Sequence, residues 1–213
     1  MKFLAASALL SSLILSANCR VVDLSMRQDD LYPANFKPNF NSVFSVVIQK
    51  PLSTVFPILG TNQELGAQIH LESIASEFQE GAADSVNVNG NLEDAFVRTA
   101  TPAPAGQGFP RQHFSYIETI KIIPGLSFLD VVLHLNGTYT WDETRNITLY
   151  ETSSDKSVFV RKIRRFEEIK GGTATNVSEV INGQCPFLEQ PITQSKARTT
   201  HQAQMNLFHT LFE

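Results

Sequence analysis

The chain has 213 residues, 42% of them hydrophobic and 9% aromatic, with 15 phenylalanines. That supply of apolar side chains supports one folded core and excludes global disorder. The formal net charge is −4, or −5 once Lys2 is removed with the leader described next; this acidity argues against nucleic acid, whose binding rests on cationic contacts.

Lys2 precedes an apolar run over residues 3–15, and small residues follow at Ser16, Ala17 and Cys19. Residues 1–19 therefore read as a cleaved secretory signal peptide, with an apolar run shorter than the roughly 20 residues of a membrane helix. The expected product is secreted, with no integral membrane association. That address gives meaning to three N-glycosylation sequons, at Asn136, Asn146 and Asn176. Cys19 and Cys185 are the two cysteines. Cleavage after Cys19 leaves Cys185 alone, whereas cleavage after Ala17 keeps both and allows one Cys19–Cys185 disulfide. In either case the core, and no disulfide framework, must hold the fold.

Residues 20–40 read as an N-terminal extension, polar at Arg27-Gln28-Asp29-Asp30 and broken by Pro33 and Pro38. One domain is expected over residues 41–213. Residues 43–48 are β-branched and aromatic and predict a strand. Leu52, Val55, Phe56 and Leu59 follow at helical spacing and end at Gly60. Residues 64–78 read as helical or irregular. Residues 80–110, rich in Gly, Ala, Asn and Pro, read as a long flexible loop, a length usually tied to a function or to disorder.

From residue 112 the pattern turns to strands. Phe114, Tyr116, Glu118, Ile120 and Ile122 alternate with mostly polar neighbours. Residues 126–135 are compatible with helix or strand. Strands at 138–141, 147–152, 158–169 and 173–181, joined by short turns, predict an antiparallel meander. Residues 193–213 lack Gly and Pro and carry Met205, Leu207, Phe208, Leu211 and Phe212, which predicts a long amphipathic C-terminal helix. If Asn146 and Asn176 face solvent, three carboxylates fall on the opposite, nominally inward faces or on that of Phe114: Glu118, Glu151 and Glu179. A bulge or strand end that returns them to water is the simpler reading, against a lining of a polar cavity.

Val46-Val47-Ile48-Gln49-Lys50-Pro51-Leu52-Ser53-Thr54-Val55-Phe56-Pro57-Ile58-Leu59 is similar to the opening strand and Pro-initiated helix of the START-like, or SRPBCC, helix-grip superfamily, which includes plant pathogenesis-related allergens and polyketide-cyclase-like proteins. Gly183-Gln184-Cys185-Pro186-Phe187-Leu188, with Lys196-Ala197-Arg198 and Asn206-Leu207-Phe208-His209-Thr210-Leu211-Phe212, resembles the approach to its last helix. The likeness spans roughly residues 43–213 and is topological. It implies an α+β fold in which a curved antiparallel sheet packs on a long C-terminal helix around an apolar cavity. By that resemblance Phe114, Tyr116, Glu118, Tyr139, Trp141, Met205, Phe208 and Phe212 are candidate cavity-lining residues, unless the same aromatics simply fill the core. The resemblance also implies a hydrophobic small molecule or lipid as partner.

No catalytic motif is present. Gly125-Leu126-Ser127-Phe128 lacks the second glycine of a nucleophile elbow. The five histidines show no metal-ligand spacing, and His201 and His209 read as surface residues. No phosphate loop or dinucleotide fingerprint appears, so no cofactor is expected. Arg161, Lys162, Arg164 and Arg165 read as a solvated strand face with cross-strand ion pairs. The leading expectation is a secreted, N-glycosylated protein that binds a hydrophobic molecule between sheet and helix. The alternatives are a polyketide-cyclase-like or hydrolytic enzyme using Glu118 or a histidine, and a secreted interaction or effector protein without a small ligand.

Overall fold

The computed structural model describes residues 36–121, 128 and 130–213, all within the compact unit Leu31–Glu213. The signal peptide, most of the 20–40 extension and Cys19 lie outside the described residues.

Seven strands form one antiparallel sheet: β1 (Phe40–Ile48), β2 (Ala75–Val86), β3 (Phe109–Ile120), β4 (Val131–Asp142), β5 (Ile147–Ser154), β6 (Phe159–Ile169) and β7 (Ala174–Gln184). Their spatial order is β1-β7-β6-β5-β4-β3-β2. Helices α1 (Leu52–Leu59) and α2 (Leu65–His70) follow β1, and α3 (Gln190–Asn206) closes the chain before a 3-10 turn at Phe208–Phe212. The meander from β3 to β7 is therefore as expected, and the chain has the α+β helix-grip architecture: an open antiparallel sheet against a C-terminal helix.

Three elements differ from the sequence reading. Of the stretch 126–135, residues 131–135 belong to β4, which extends the strand expected at 138–141 back to Val131, while Ile122, Gly125, Leu126 and Ser127 lie outside the described residues. β2 occupies residues read as helical, irregular or loop. It is an edge strand with exposed polar side chains and two register shifts, and Glu77 takes φ +53°, so it shows no alternation. The C-terminal helix starts earlier, tolerating Pro191 in its first turn, where no intrahelical N–H is lost. It also ends earlier: Met205 lies in its last turn, and Phe208 and Phe212 belong to the 3-10 turn.

Cross-strand pairing fixes which side chains share a face. One face, toward the helices, carries Tyr139, Tyr150 and Lys162 in one cross-strand row and Thr148, Arg164 and Glu179 in another. On it α1 buries Val55, Phe56 and Leu59 against Phe166, Val177, Met205 and Phe208. Phe208 is fully buried, which contributes about 1.5–3 kcal/mol.

The opposite face is covered as well. Between β2 and β3, residues 87–108 fold back so that Leu92 and Val97 pack on Ile147, Leu149 and Ile163. Glu151 accepts hydrogen bonds from the backbone N–H of Val97 and Arg98, both at 2.8 Å. Arg111, 2% exposed, pairs in fork geometry with Asp84 at 2.7 Å and donates to the carbonyls of Val97 and Ala100. Arg161 donates to the carbonyls of Glu93 and Ala95. All of β5 is consequently buried, on both of its faces: strand alternation from a solvent-facing Asn146 would put Thr148 and Tyr150 in water, and both are buried.

Gly183 is required by close approach. It faces Phe40 across the β1–β7 pair, and a Cβ there would run into the Phe40 ring. Gly183→Ala is expected to cost about 1–3 kcal/mol, the range for overpacking a filled interior. Thermal unfolding checks this; an unchanged midpoint would mean that the ring moves aside freely.

Candidate functional site: an acid–base cluster under the helices

The interior face of the sheet carries an unusual charge density beside its aromatics. Leu65, Ile69, Phe114, Tyr116, Leu133, Leu135, Tyr139, Trp141 and Tyr150 form one apolar cluster. Next to it stand Glu72, Glu118, Lys162, Arg164, Glu179 and His201. Strand alternation delivers Glu118, Lys162, Arg164 and Glu179, the turn after α2 delivers Glu72, and α3 delivers His201.

Arg164 is the hub. Its Nε and Nη2 donate to Glu179 Oε2 at 3.1 and 2.9 Å, and its Nη1 donates to Gln68 Oε1 at 2.8 Å and to the Leu59 carbonyl at 3.2 Å. The guanidinium lies 4.6 Å from the centre of the Phe208 ring. Tyr139 donates to the same Leu59 carbonyl at 2.6 Å, which ties β4 to α1. Gln204 on α3 donates to the Gln68 carbonyl at 2.8 Å.

His201 is the second junction. Its Nδ1 lies 3.3 Å from Glu72 Oε1, 3.5 Å from Lys162 Nζ and 3.9 Å from Glu179 Oε1. Lys162 Nζ also stands 4.0 Å from Glu179 Oε2 and 4.5 Å from the centre of the Tyr150 ring. From Tyr150 a hydroxyl chain runs outward: Tyr150 donates to the Tyr116 hydroxyl at 2.8 Å, and Tyr116 donates to Glu118 Oε1 at 3.0 Å.

Burial and charge divide the three carboxyls. Burial, then the neighbouring Glu72 charge, pushes Glu118 from 4.5 up to about 7. Burial would also raise Glu72, but the charge and hydrogen bond of His201, with Lys162, hold it below the usual value. Glu179 is likewise penalised by burial and brought below the usual value by Lys162, Arg164 and His201. Burial lifts both the Tyr116 and Tyr150 hydroxyls well above the ordinary tyrosine range. A group that exchanges a proton near neutrality thus stands at the partly exposed end of a buried hydroxyl chain. This suits proton transfer to a bound molecule.

Trp141 Nε1, Glu179 Oε1 and Gln204 Oε1 are buried and have no hydrogen-bond partner among the described residues. Buried polar atoms are normally satisfied by protein, water or ligand. Trp141, Thr148, Arg164 and Glu179 are successive partners across β4 to β7, so Trp141 and Glu179 share the interior face three strands apart, while Gln204 is on α3.

Of the eight expected lining residues, Phe114, Tyr116, Tyr139 and Trp141 meet in the aromatic cluster, and Glu118 adjoins it through Tyr116. Met205 and Phe208 belong to the neighbouring cluster around α1, with Phe212 packed against it. Sequence reasoning missed Glu72, Tyr150 and His201 as members of the site. His201 is partly buried, whereas His209 is exposed, as read. The basic segment is not a solvated face: Arg161, Lys162 and Arg164 are buried, Lys162 and Arg164 toward the helices and Arg161 toward the 87–108 segment. The expected cross-strand ion pair is present, as Arg164–Glu179. No bulge returns Glu151 or Glu179 to water, against the simpler reading of the sequence: Glu179 is buried toward the helices, Glu151 is buried on the covered opposite side, and Glu118 faces the helices while staying partly exposed.

A separate open cleft of about 700 Å³ lies elsewhere, between α1 and the β4–β5 and β6–β7 turns; Pro51, Leu52, Pro57, Glu143, Asn146 and Glu168 are among the residues that line it. Among the described residues no group of three or more His, Cys, Asp or Glu is placed to hold a metal ion. No described helix is long and apolar enough to cross a membrane. Cys185 is 6% exposed, packed with Phe40, Val158 and Ile181.

No family model matches the sequence, and a search of curated proteins finds no relative. Solved structures do match. TTHA0849 from Thermus thermophilus superposes with a TM-score of 0.52 at 10% identity, over 80% of this chain and 95% of that one. The Zhui aromatase/cyclase from Streptomyces sp. R1128 superposes with a TM-score of 0.53 at 8% identity, over 80% and 91%. At such identity the likeness establishes the fold, a helix-grip α+β domain, and nothing of the chemistry.

Proposed function

We propose that this chain is a secreted, N-glycosylated protein that binds a small, largely apolar molecule bearing a polar oxygen function, held between the sheet and α3. The observation that carries this reading is a pair of buried atoms with no hydrogen-bond partner among the described residues, Trp141 Nε1 in the aromatic cluster and Gln204 Oε1 on α3. Ligand sites combine apolar walls with a few orienting polar groups in this way. The apolar cluster supplies the walls, Trp141 Nε1 offers a donor to a hydroxyl or carbonyl oxygen, and Gln204 Oε1 offers an acceptor to a hydroxyl.

Trp141 is the only tryptophan of the chain and reports on its own site. Titration with sterols, fatty acids and phenolic polyketides is expected to shift its emission, and native mass spectrometry is expected to show a matching one-to-one adduct. Neither signal across the panel would overturn the reading.

A second reading, an acid–base enzyme on this scaffold, is favoured by one observation. Glu118, at about 7, stands at the partly exposed end of the Tyr150–Tyr116 hydroxyl chain. It fits a cyclase-like reaction, and the aromatase/cyclase named above shares the fold. Under this reading Glu118→Gln keeps ligand binding and loses turnover.

A further inference from the structure

We infer that the open cleft beside α1 is a cradle for the protein's own glycan, attached at Asn146. The inference rests on the secretory reading proposed above and assigns an occupant to a surface that the ligand site leaves unused.

The three sequon asparagines differ in their setting. Asn136 lies within β4, paired with Ser115 of β3 and Ser153 of β5. Asn176 lies on β7, and its Nδ2 is 3.5 Å from Glu167 Oε2. Asn146 lies in the turn between β4 and β5, and among the described residues its carboxamide makes no hydrogen bond. It takes φ +53°, a left-handed conformation that asparagine tolerates better than most residues. Asn146 is among the residues that line the cleft.

The chemistry of the cleft suits a saccharide. A pyranose presents a C–H face and a rim of hydroxyls. Pro51, Leu52 and Pro57 offer apolar surface to the first, while Glu143 and Glu168 offer carboxylate oxygens to the second. The volume of about 700 Å³ falls in the range of about 300–1,000 Å³ of small-molecule sites. The linkage itself is ordinary N-glycosylation. Asn146 Nδ2 loses one proton and bonds to the anomeric carbon of a saccharide carried on a lipid pyrophosphate, and the lipid pyrophosphate departs with the electrons of the broken C–O bond. Attachment precedes folding, so the burial of Thr148 in β5 does not obstruct it. Once the chain folds, the first sugars lie across α1 and brace it against the two turns.

The test uses the full chain secreted from a eukaryotic culture. Glycopeptide mapping gives the occupancy of each sequon, and an N-glycan amidase then digests native and denatured protein in parallel. The Asn146 glycan is expected to be released about tenfold more slowly from native than from denatured protein, relative to the same ratio at Asn176; that factor corresponds to about 1.4 kcal/mol of contact. Ser53→Arg, at an exposed position of the cleft, is expected to remove the protection without disturbing the core. Equal relative release at both sites, or an unoccupied Asn146 beside other occupied sequons, overturns the cradle and leaves the secretory reading standing. No occupied sequon on any molecule, or no secretion, overturns both.

Discussion

Arg164→Leu is expected to lower the thermal unfolding midpoint by about 6–20 °C. The substitution leaves Glu179, 1% exposed, without its two charge-assisted hydrogen bonds. Lys162 at 4.0 Å and His201 at 3.9 Å remain, but both are shared with Glu72 or with each other. It also frees the Leu59 carbonyl and Gln68, and removes the cation over Phe208. Breaking a buried ion pair from one side costs about 3–5 kcal/mol. In a domain of about 150–250 residues each kcal/mol moves the midpoint by about 2–4 °C. Adding Glu179→Gln to the same chain removes the stranded charge and is expected to recover much of the loss. A single variant that loses less than about 1 kcal/mol would mean that Lys162 and His201 neutralise Glu179 unaided, and the hub role of Arg164 would be wrong.

The second large effect is a pH dependence with an unusual sign. Glu118 titrates at about 7 in the folded chain against 4.5 when unperturbed. Between those values the folded chain retains a proton that the unfolded chain has lost. Stability therefore falls as pH rises across that window, by at most about 1.4 kcal/mol per pH unit. The whole limb amounts to no more than about 3 kcal/mol, reduced by water at the partly exposed carboxyl. The contribution is complete below 4.5 and gone above 7. Glu72 and Glu179, both held low, act in the opposite direction. Their stabilisation is present above the ordinary glutamate value and is lost as pH falls through their lowered values. The chain is expected to be most stable near pH 5 and to weaken toward neutrality. Glu118→Gln is expected to flatten the limb between about 4.5 and 7, leaving the acid side unchanged. Midpoints measured across pH 3–8 for both proteins decide it. Parallel curves would mean that Glu118 ionises as an ordinary carboxyl.

Much of the architecture was legible because β3 to β7 are consecutive strands with short turns. Alternation at Phe114-Ser115-Tyr116 and at Val177-Ser178-Glu179 reports burial locally and put Glu118 and Glu179 on the nominally inward face. The cost of burying a carboxylate favoured a return to water, and only the fold shows the cations that keep Glu179 inside. β2 was illegible because an edge strand buries little and so imposes no period on Gln79–Asp84. The burial of both sides of β5 was illegible for a different reason. It depends on residues 87–108 folding back over Ile147 and Leu149, a contact between segments far apart in sequence. The same holds for the site. His201 reads as one polar residue on a polar helix; only the fold brings it beside Glu72 and Lys162. Lys162 and Arg164 misled because four basic residues in five resemble a wet surface, and nothing local announces that Glu179 awaits them.

The strand order also dictates a sequence of events in time. β1 leaves the ribosome before every other strand, yet its one neighbour in the sheet is β7, made last. Pairing Phe40 with Gly183 closes almost the whole domain into a loop, which places it among the slow, long-range steps of folding. Until then Phe-Asn-Ser-Val-Phe-Ser-Val-Val-Ile stands unpaired, uncharged and free of proline, the composition of a segment that self-associates. Even in the finished fold Val43 and Val47 remain outward, at 68% and 45% exposure. The yield of folded protein is thus expected to fall the longer that strand waits for its partner, and to rise with anything that shields it in the interval.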